Sequence, residues 1–259
     1  VFDGSNDYLA ILDKYYSSQS IENISIFAVV ESSSTQRQMI ISFDRSEFWR
    51  LALVDDVGPQ HIGWDTMKGT SVHDMGTPIN YADGAPNIIH AFYHKAKTPN
   101  KGIIVDSQLV VSGTHHSGDN LGDTITRYGF VGVGSEASSF NGSTGPNIYM
   151  NGKIAEILIF ESSLTELQTI RINYYLSNKW GLKSSVDSDG DGVVDALDSA
   201  PLSTPPTGAV TISGTSTENE VLTVSNNLQD KDGLGPISYQ WKRAGDVISG
   251  ATSATYTLA

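Results

Sequence analysis

The chain has 259 residues, contains no cysteine and carries a formal net charge of −13 at pH 7. The absence of cysteine excludes disulfides, thiolate zinc sites and cysteine nucleophiles, and the negative charge argues against nucleic acid as a partner. No apolar run approaches the ~20 residues of a membrane helix, so we expect neither membrane insertion nor a signal peptide in this stretch.

The length predicts about two domains. The chain opens with Val1 to Gly4, which reads as a strand entering a turn. We therefore expect it to be a piece of a longer protein whose targeting signal lies elsewhere. Neighbouring domains of that longer chain are expected partners.

Residues 1–160 alternate short runs of β-branched and aromatic residues with clusters of Gly, Asn, Asp and Ser. This pattern predicts an all-β fold, a two-sheet jelly-roll sandwich. The clearest predicted strands are residues 24–30, 39–43, 88–94, 102–111 and 153–160.

One helix is predicted near the C-terminal end of this sandwich. Ser163 is the predicted N-cap, Glu166 its partner at the third helical position, and Gly181 the stop signal. Leu167, Ile170 and Tyr174 follow at helical spacing, so one side of the helix should pack on a sheet.

Residues 184–206 form an Asp-rich segment with too little apolar surface for a core of its own. Five of its aspartates have the spacing of a twelve-residue calcium loop, with Gly192 at the sixth position. The predicted Ca²⁺ ligands are Asp187, Asp189, Asp191, the backbone carbonyl of Val193, Asp195 and Asp198. Calcium prefers six to eight oxygen ligands, and the repulsion among these carboxylates predicts that metal binding and order are coupled.

Strand-like alternation returns from residue 207 to residue 259, with Trp241 as a predicted core residue. The predicted organisation is therefore a jelly roll over residues 1–183, a calcium-binding linker over 184–206 and a partial β domain over 207–259. The last two segments carry 10 acidic against 3 basic residues, which suits cation binding.

Three stretches resemble known families. The opening Phe2 to Leu9 and the closing 151–160 and 175–182 look like a laminin-G-like, concanavalin A-type jelly roll of bacterial secreted proteins. Residues 187–198 resemble a thrombospondin type 3 repeat, which implies calcium and a structural role. Residues 208–242 resemble the immunoglobulin-like repeats of large bacterial adhesins, of which only about half would be present.

A jelly roll of this kind raises two classes of function. Glucanases of the same fold carry catalytic acids about 5 Å apart on one face of a strand. The nearest candidates here, Glu156 and Glu161, are five residues apart and should face opposite ways in a regular strand. We therefore expect no enzyme activity.

Carbohydrate binding requires an aromatic platform beside polar side chains, presented on loops. Two predicted loop regions, 61–86 and 115–123, offer such residues. The candidate ligand contacts are His61, Trp64, Asp65, Tyr81, Asp83, His115, His116, Asp119 and Asn120.

Together these features predict a calcium-dependent, non-enzymatic, lectin-like adhesin fragment that recognises glycans on a cell or matrix surface. The expected location is extracellular or on a bacterial cell surface. Two alternatives remain open: a carbohydrate-targeting module of a secreted polysaccharide-degrading enzyme, and a structural stalk segment without a ligand.

Overall fold

The computed structural model describes residues 1–18, 20–54, 62–69, 71–138, 144–145, 147–230 and 233–259. These fall into two compact units, Val1–Ser199 and Ala200–Ala259. The elements of the first unit, in chain order, are β1 (Phe2–Asp3), β2 (Leu9–Tyr16), β3 (Asn23–Glu31), β4 (Gln38–Ser42), β5 (Trp49–Val54), β6 (Ile62–Lys68), β7 (Ser71–Thr77), β8 (Pro86–His94), β9 (Lys101–Val105), β10 (Gln108–Gly113), β11 (Arg127–Val131), β12 (Asn151–Phe160) and α1 (Glu166–Trp180).

The strands of the first unit form two six-stranded antiparallel sheets. Sheet 1 has the order β1-β12-β3-β8-β9-β10, and sheet 2 has the order β2-β11-β4-β5-β6-β7. The predicted all-β jelly-roll sandwich with one helix is thus confirmed. At the edge of sheet 2 the register shifts by several residues: Tyr128 of β11 pairs with Tyr15, whereas Gly129 pairs with Ile11.

The inner faces of the two sheets enclose one large core. Trp49 and Trp64 lie at its centre, fully buried, with ring centroids 5.7 Å apart. The Trp64 indole Nε1 donates a hydrogen bond of 3.0 Å to the carbonyl of Phe92, which crosses from sheet 2 to sheet 1. This bond satisfies a donor that would otherwise be costly to bury.

Helix α1 packs on the outer face of sheet 1. Leu164, Leu176, Leu182 and Val186 form a second core cluster with Phe27, Val29 and Ile88 of the sheet. The helix begins two residues later than predicted, because Thr165 is the N-cap and exchanges hydrogen bonds with Gln168. Leu164 is buried in the cluster and precedes the first helical residue, Glu166. Ser163 therefore lies before the helix and does not cap it. The predicted stop is confirmed, since Gly181 adopts the left-handed conformation at φ 74°.

The second unit contains β13 (Val210–Ser213), β14 (Val221–Asn226), β15 (Lys242–Arg243), β16 (Asp246–Val247) and β17 (Thr255–Thr257). A three-stranded sheet has the order β13-β14-β17, and β15 pairs with β16. Trp241 is buried here and stacks on Tyr256 at 5.6 Å. The immunoglobulin-like assignment of this unit stays a prediction.

His90 lies on the outer face of sheet 1 and gives the fold an acid-sensitive group. Its ring stacks on Phe27 at 3.9 Å, and no described residue hydrogen-bonds either ring nitrogen. Burial, together with the nearby His94 and Lys97, lowers the pKa of His90 to about 3. The unfolded chain therefore binds a proton between about pH 6.5 and pH 3 that the folded chain does not.

Stability should consequently fall as the pH drops through this range. We expect His90→Phe to remove about 2 kcal/mol of the stability loss between pH 7.5 and pH 5. Urea unfolding of the wild type and the variant at both pH values measures this difference. An equal loss of stability in the two proteins would show that His90 does not titrate on unfolding.

Candidate functional site

The Asp-rich segment brings three carboxylates together at the end of the first unit. Ligand oxygens of Asp187, Asp189 and Asp191 all lie within 4.8 Å of one another, and Asp187 and Asp189 are buried. Gly190 and Gly192 alternate with them in the left-handed conformation, at φ 77° and 99°. Because side chains seldom adopt these angles, the two glycines allow the turn that directs the aspartates inward.

Backbone amides fix the orientation of these carboxylates. The Asp187 carboxylate accepts hydrogen bonds from the amides of Gly190 and Gly192 at 2.8 and 2.9 Å. The amide of Val193 donates to Asp191 Oδ1 at 2.8 Å. The group is therefore built of hard oxygen donors held in place, which is the ligand chemistry that Ca²⁺ prefers.

Asp195 lies outside this group and is directed towards α1. Its carboxylate accepts hydrogen bonds from the Ser188 amide and hydroxyl, both at 2.8 Å, and from the buried hydroxyl of Ser177 on the helix. Asp198 also lies outside the group. The structure thus gathers three of the five predicted carboxylates and uses Asp195 to fasten the segment to α1.

The predicted ligand contacts Trp64 and Asp65 are corrected by the structure. Both belong to β6, an interior strand of sheet 2, and both are fully buried. Trp64 faces the core, and Asp65 forms an ion pair with Arg50 at 2.6 Å. Ile62–Lys68 and Ser71–Thr77 pair as adjacent antiparallel strands of the sheet, so neither side chain can contact a glycan at the surface. His61 lies outside the described residues.

The other predicted contacts fall in two places, at opposite ends of β8. Tyr81 and Asp83 precede its first residue, Pro86. Burial and the carboxylate of Asp106 raise the pKa of Tyr81. At the far end of β8, Tyr93 donates hydrogen bonds to the carbonyls of His116 and Asp119, at 2.7 and 2.8 Å. The predicted contact residues that the structure describes do not come together in a single site.

The residues of the second loop are mostly engaged by neighbouring side chains. Lys68 pairs with Asp119, and Lys95 donates to the Asn120 side-chain oxygen at 2.7 Å. The His115 ring stacks on His73, and Asn100 exchanges hydrogen bonds with the His115 backbone. Burial and the nearby Lys101 lower the pKa of both His115 and His116. These contacts fix the loop against the sandwich.

Sequence reasoning missed a polar cleft on the outer face of sheet 2, called here the Arg50 cleft. Its volume is about 240 Å³. Arg50 reaches it because Trp49 and Leu51, its neighbours in β5, face the core. The lining residues are Arg37, Met39, Ser42, Asp44, Arg45, Ser46, Arg50, Gly134, Ser135, Glu136 and Ile148.

Ion pairs hold the charged groups of the Arg50 cleft and its border. Arg45 lies 3.5 Å from Asp74, and Arg127 binds Asp44 at 2.8 Å and Glu47 at 3.1 Å. Burial raises the pKa of Glu47 to about 7, assisted by the adjacent Asp44. The cleft therefore presents guanidinium, carboxylate and hydroxyl groups in fixed positions.

Glu156 and Glu161 are engaged in separate contacts. Burial raises the pKa of each carboxyl, but hydrogen bonds outweigh burial and lower it overall. The donors are Lys179, Trp180 and Tyr175 for Glu156, and Lys14 and Tyr16 for Glu161. A general acid of a glycosidase needs a raised pKa, so neither residue suits that role.

The helices that the structure describes include none long and apolar enough to span a membrane. No protein-family model matches the chain, and no curated protein matches it.

Several solved structures are similar to parts of this chain at low sequence identity. A heptameric SAP-like pentraxin from Limulus polyphemus is 9% identical with a TM-score of 0.47, covering 75% of this chain and 82% of its own. Domains LG4-5 of the mouse laminin alpha1 chain are 16% identical with a TM-score of 0.45, and the match covers 63% of this chain and 42% of the laminin chain. The CBM40 of Ruminococcus gnavus IT-sialidase is 10% identical with a TM-score of 0.41, and the match covers 60% of this chain and 84% of the CBM40 chain.

Proposed function

We propose that this chain is a calcium-binding, carbohydrate-binding module of an extracellular or bacterial cell-surface adhesin. Its partners are glycans on a cell or matrix surface. The calcium site is formed by Asp187, Asp189 and Asp191, with the Val193 carbonyl and Asp198 as further oxygen donors from the same segment.

The convergence of the three carboxylates carries the calcium assignment. Their oxygens lie within 4.8 Å of one another, and two of the three residues are buried. Like charges this close in a poorly solvated place repel strongly unless a cation lies between them. Calcium neutralises the repulsion and takes oxygen ligands from alternate residues of a tight turn.

The chemistry of the Arg50 cleft favours a carbohydrate ligand. Guanidinium and carboxylate groups form paired hydrogen bonds with neighbouring hydroxyls, and Ser42, Ser46 and Ser135 add hydroxyl groups to the lining. The ion pairs of Arg45 and Arg50 hold these side chains before a ligand arrives, which reduces the entropic cost of binding.

Glycan-array binding of the whole chain, with calcium and with chelator, tests this function. Arg45→Met with Glu136→Gln changes two side chains that reach solvent at the cleft. We expect this double variant to bind the selected glycan at least tenfold more weakly at an unchanged melting temperature. Arg171→Met, on the exposed side of α1, is the control and should bind normally.

The outcomes separate the alternatives. Binding that weakens in chelator links calcium to the ligand site, and binding unaffected by chelator confines the ion to the Asp-rich segment. Binding restricted to soluble plant or algal polysaccharides would favour the targeting module of a polysaccharide-degrading enzyme. Absence of any binding would contradict the carbohydrate function and favour a structural stalk segment.

A further inference from the structure

A narrow slot lies where α1 ends above sheet 1. The helix covers part of the outer face of the sheet, and the sheet surface continues beyond the last helical residue, Trp180. The space between them has a volume of about 220 Å³. Its walls are the Trp180 side chain and the sheet residues Val29, Val30, Ala155 and Pro86.

The indole that forms one wall of the slot is fixed although it is exposed. Trp180 is 39% exposed, and its Nε1 donates a hydrogen bond of 2.7 Å to Glu156 on β12. The same carboxylate accepts hydrogen bonds from Tyr175 at 3.1 Å and from Lys179 at 3.0 Å. Three donors from one helix thus hold the carboxylate that orients the ring.

The slot also contains one ion pair that can serve a polar ligand. Lys153 Nζ lies 2.7 Å from Glu31 Oε1, with 57% and 33% of the two side chains exposed. Both residues line the slot. A hydrogen-bond donor, Lys153, and an acceptor, Glu31, therefore lie beside the apolar residues of the slot.

We propose that the Trp180 slot is a second carbohydrate subsite that binds one pyranose ring. The proposal rests on the carbohydrate function proposed above. The apolar C–H face of the sugar packs on the indole, and its hydroxyls exchange hydrogen bonds with Lys153 and Glu31. A fixed aromatic ring beside groups that both donate and accept suits a ligand with one apolar face and a hydroxylated rim.

Tryptophan fluorescence can report on this slot directly. Trp49 and Trp64 are fully buried and Trp241 is 9% exposed, whereas Trp180 is 39% exposed. Acrylamide quenching of the whole chain therefore reports chiefly on Trp180. We expect methyl glucopyranoside, galactopyranoside or mannopyranoside to protect Trp180 from acrylamide with a saturable concentration dependence.

Lys153→Met with Glu31→Gln should weaken that protection at least tenfold. Lys14→Met with Glu161→Gln removes a comparable exposed ion pair, 2.6 Å in length, from another part of the sandwich. This control should leave protection unchanged. Both double variants retain Trp180, so its fluorescence and the packing of α1 remain available as a check on folding.

Several results would overturn the slot. Equal protection of Trp180 from acrylamide in the two double variants would contradict the proposal. So would protection of Trp180 by N-acetyl-leucinamide if none of the pyranosides protects it. If the chain binds an array glycan through the Arg50 cleft and no sugar protects Trp180, the proposal of a sugar subsite in the slot is contradicted and the proposed function is retained. If no glycan binds anywhere on the chain, both fall.

Discussion

The first unit of this chain should melt about 5 to 10 °C higher in calcium than in chelator. A ligand present at ~100 times its Kd stabilises the folded state by about 2.7 kcal/mol. For a domain of roughly 150 to 250 residues, each kcal/mol shifts the melting temperature by about 2 to 4 °C. Differential scanning calorimetry in millimolar calcium and in EGTA measures the shift.

The placement of the Asp-rich segment makes this expectation specific. The aspartates of the segment belong to the first unit, Val1–Ser199, and Val186 is buried in the cluster that joins α1 to sheet 1. Calcium should therefore raise the transition of the sandwich itself. Asp187→Asn should abolish the shift, whereas Asp13→Asn, an exposed site in β2, should retain it. A shift confined to the second unit would contradict the assignment.

Arg50→Ala should destabilise the first unit by about 3 to 5 kcal/mol, because it removes the ion-pair guanidinium beside a fully buried carboxylate. Asp65 has no solvent exposure, and its Oδ2 lies 2.6 Å from Arg50 Nε. Loss of the guanidinium leaves a negative charge in a place that water does not reach. Urea unfolding of the wild type and the variant gives the difference in free energy.

Two further variants show whether the charge is the cause. Arg50→Met with Asp65→Leu removes both charges and should recover most of the lost stability. Arg171→Ala, on the exposed side of α1, should change the free energy of unfolding by less than about 0.5 kcal/mol. A loss below about 1 kcal/mol for Arg50→Ala would mean that Asp65 is solvated or protonated in the folded protein.

The sandwich could be predicted from the sequence because its interior strands are locally distinctive. The predicted strand at residues 24–30 lies within β3, Asn23–Glu31, and the predicted strand at 88–94 lies within β8, Pro86–His94. Apolar and β-branched residues fill both runs. The helix was predicted with its correct end but a start two residues too early, because Ser163 and Thr165 are both suitable N-cap residues and only Thr165 caps the helix.

Trp64 and Asp65 show where local reasoning failed. Their surroundings are rich in polar residues and glycine, which is typical of a loop. Trp64 instead faces the core, and Asp65, the next residue of β6, pairs in register with Asp74 of β7. Arg50 likewise pairs in register with Ser42 on one side and Asp65 on the other. The Arg50 cleft depends on this cross-strand register, which no single stretch of sequence displays.

The spacing of the aspartates indicated only part of the arrangement of carboxylates in the Asp-rich segment. The alternating positions of Asp187, Asp189 and Asp191 agree with the closeness of their carboxylate oxygens in the structure. The direction of the Asp195 side chain depends on Ser177, eighteen residues earlier on α1. Tertiary packing therefore sets the orientation of this carboxylate, which the spacing of the motif does not reveal.

The register shift at the edge of sheet 2 bears on self-association. An exposed edge strand offers unpaired amides and carbonyls on which another chain can extend the sheet. In β2 the residues between Ile11 and Tyr15 have no partner on β11, so the strand is locally bulged and does not present a flat, continuous ladder. This edge carries exposed Leu9, Leu12 and Tyr15. The bulge therefore makes this apolar rim a poor template for pairing with a second copy of the chain.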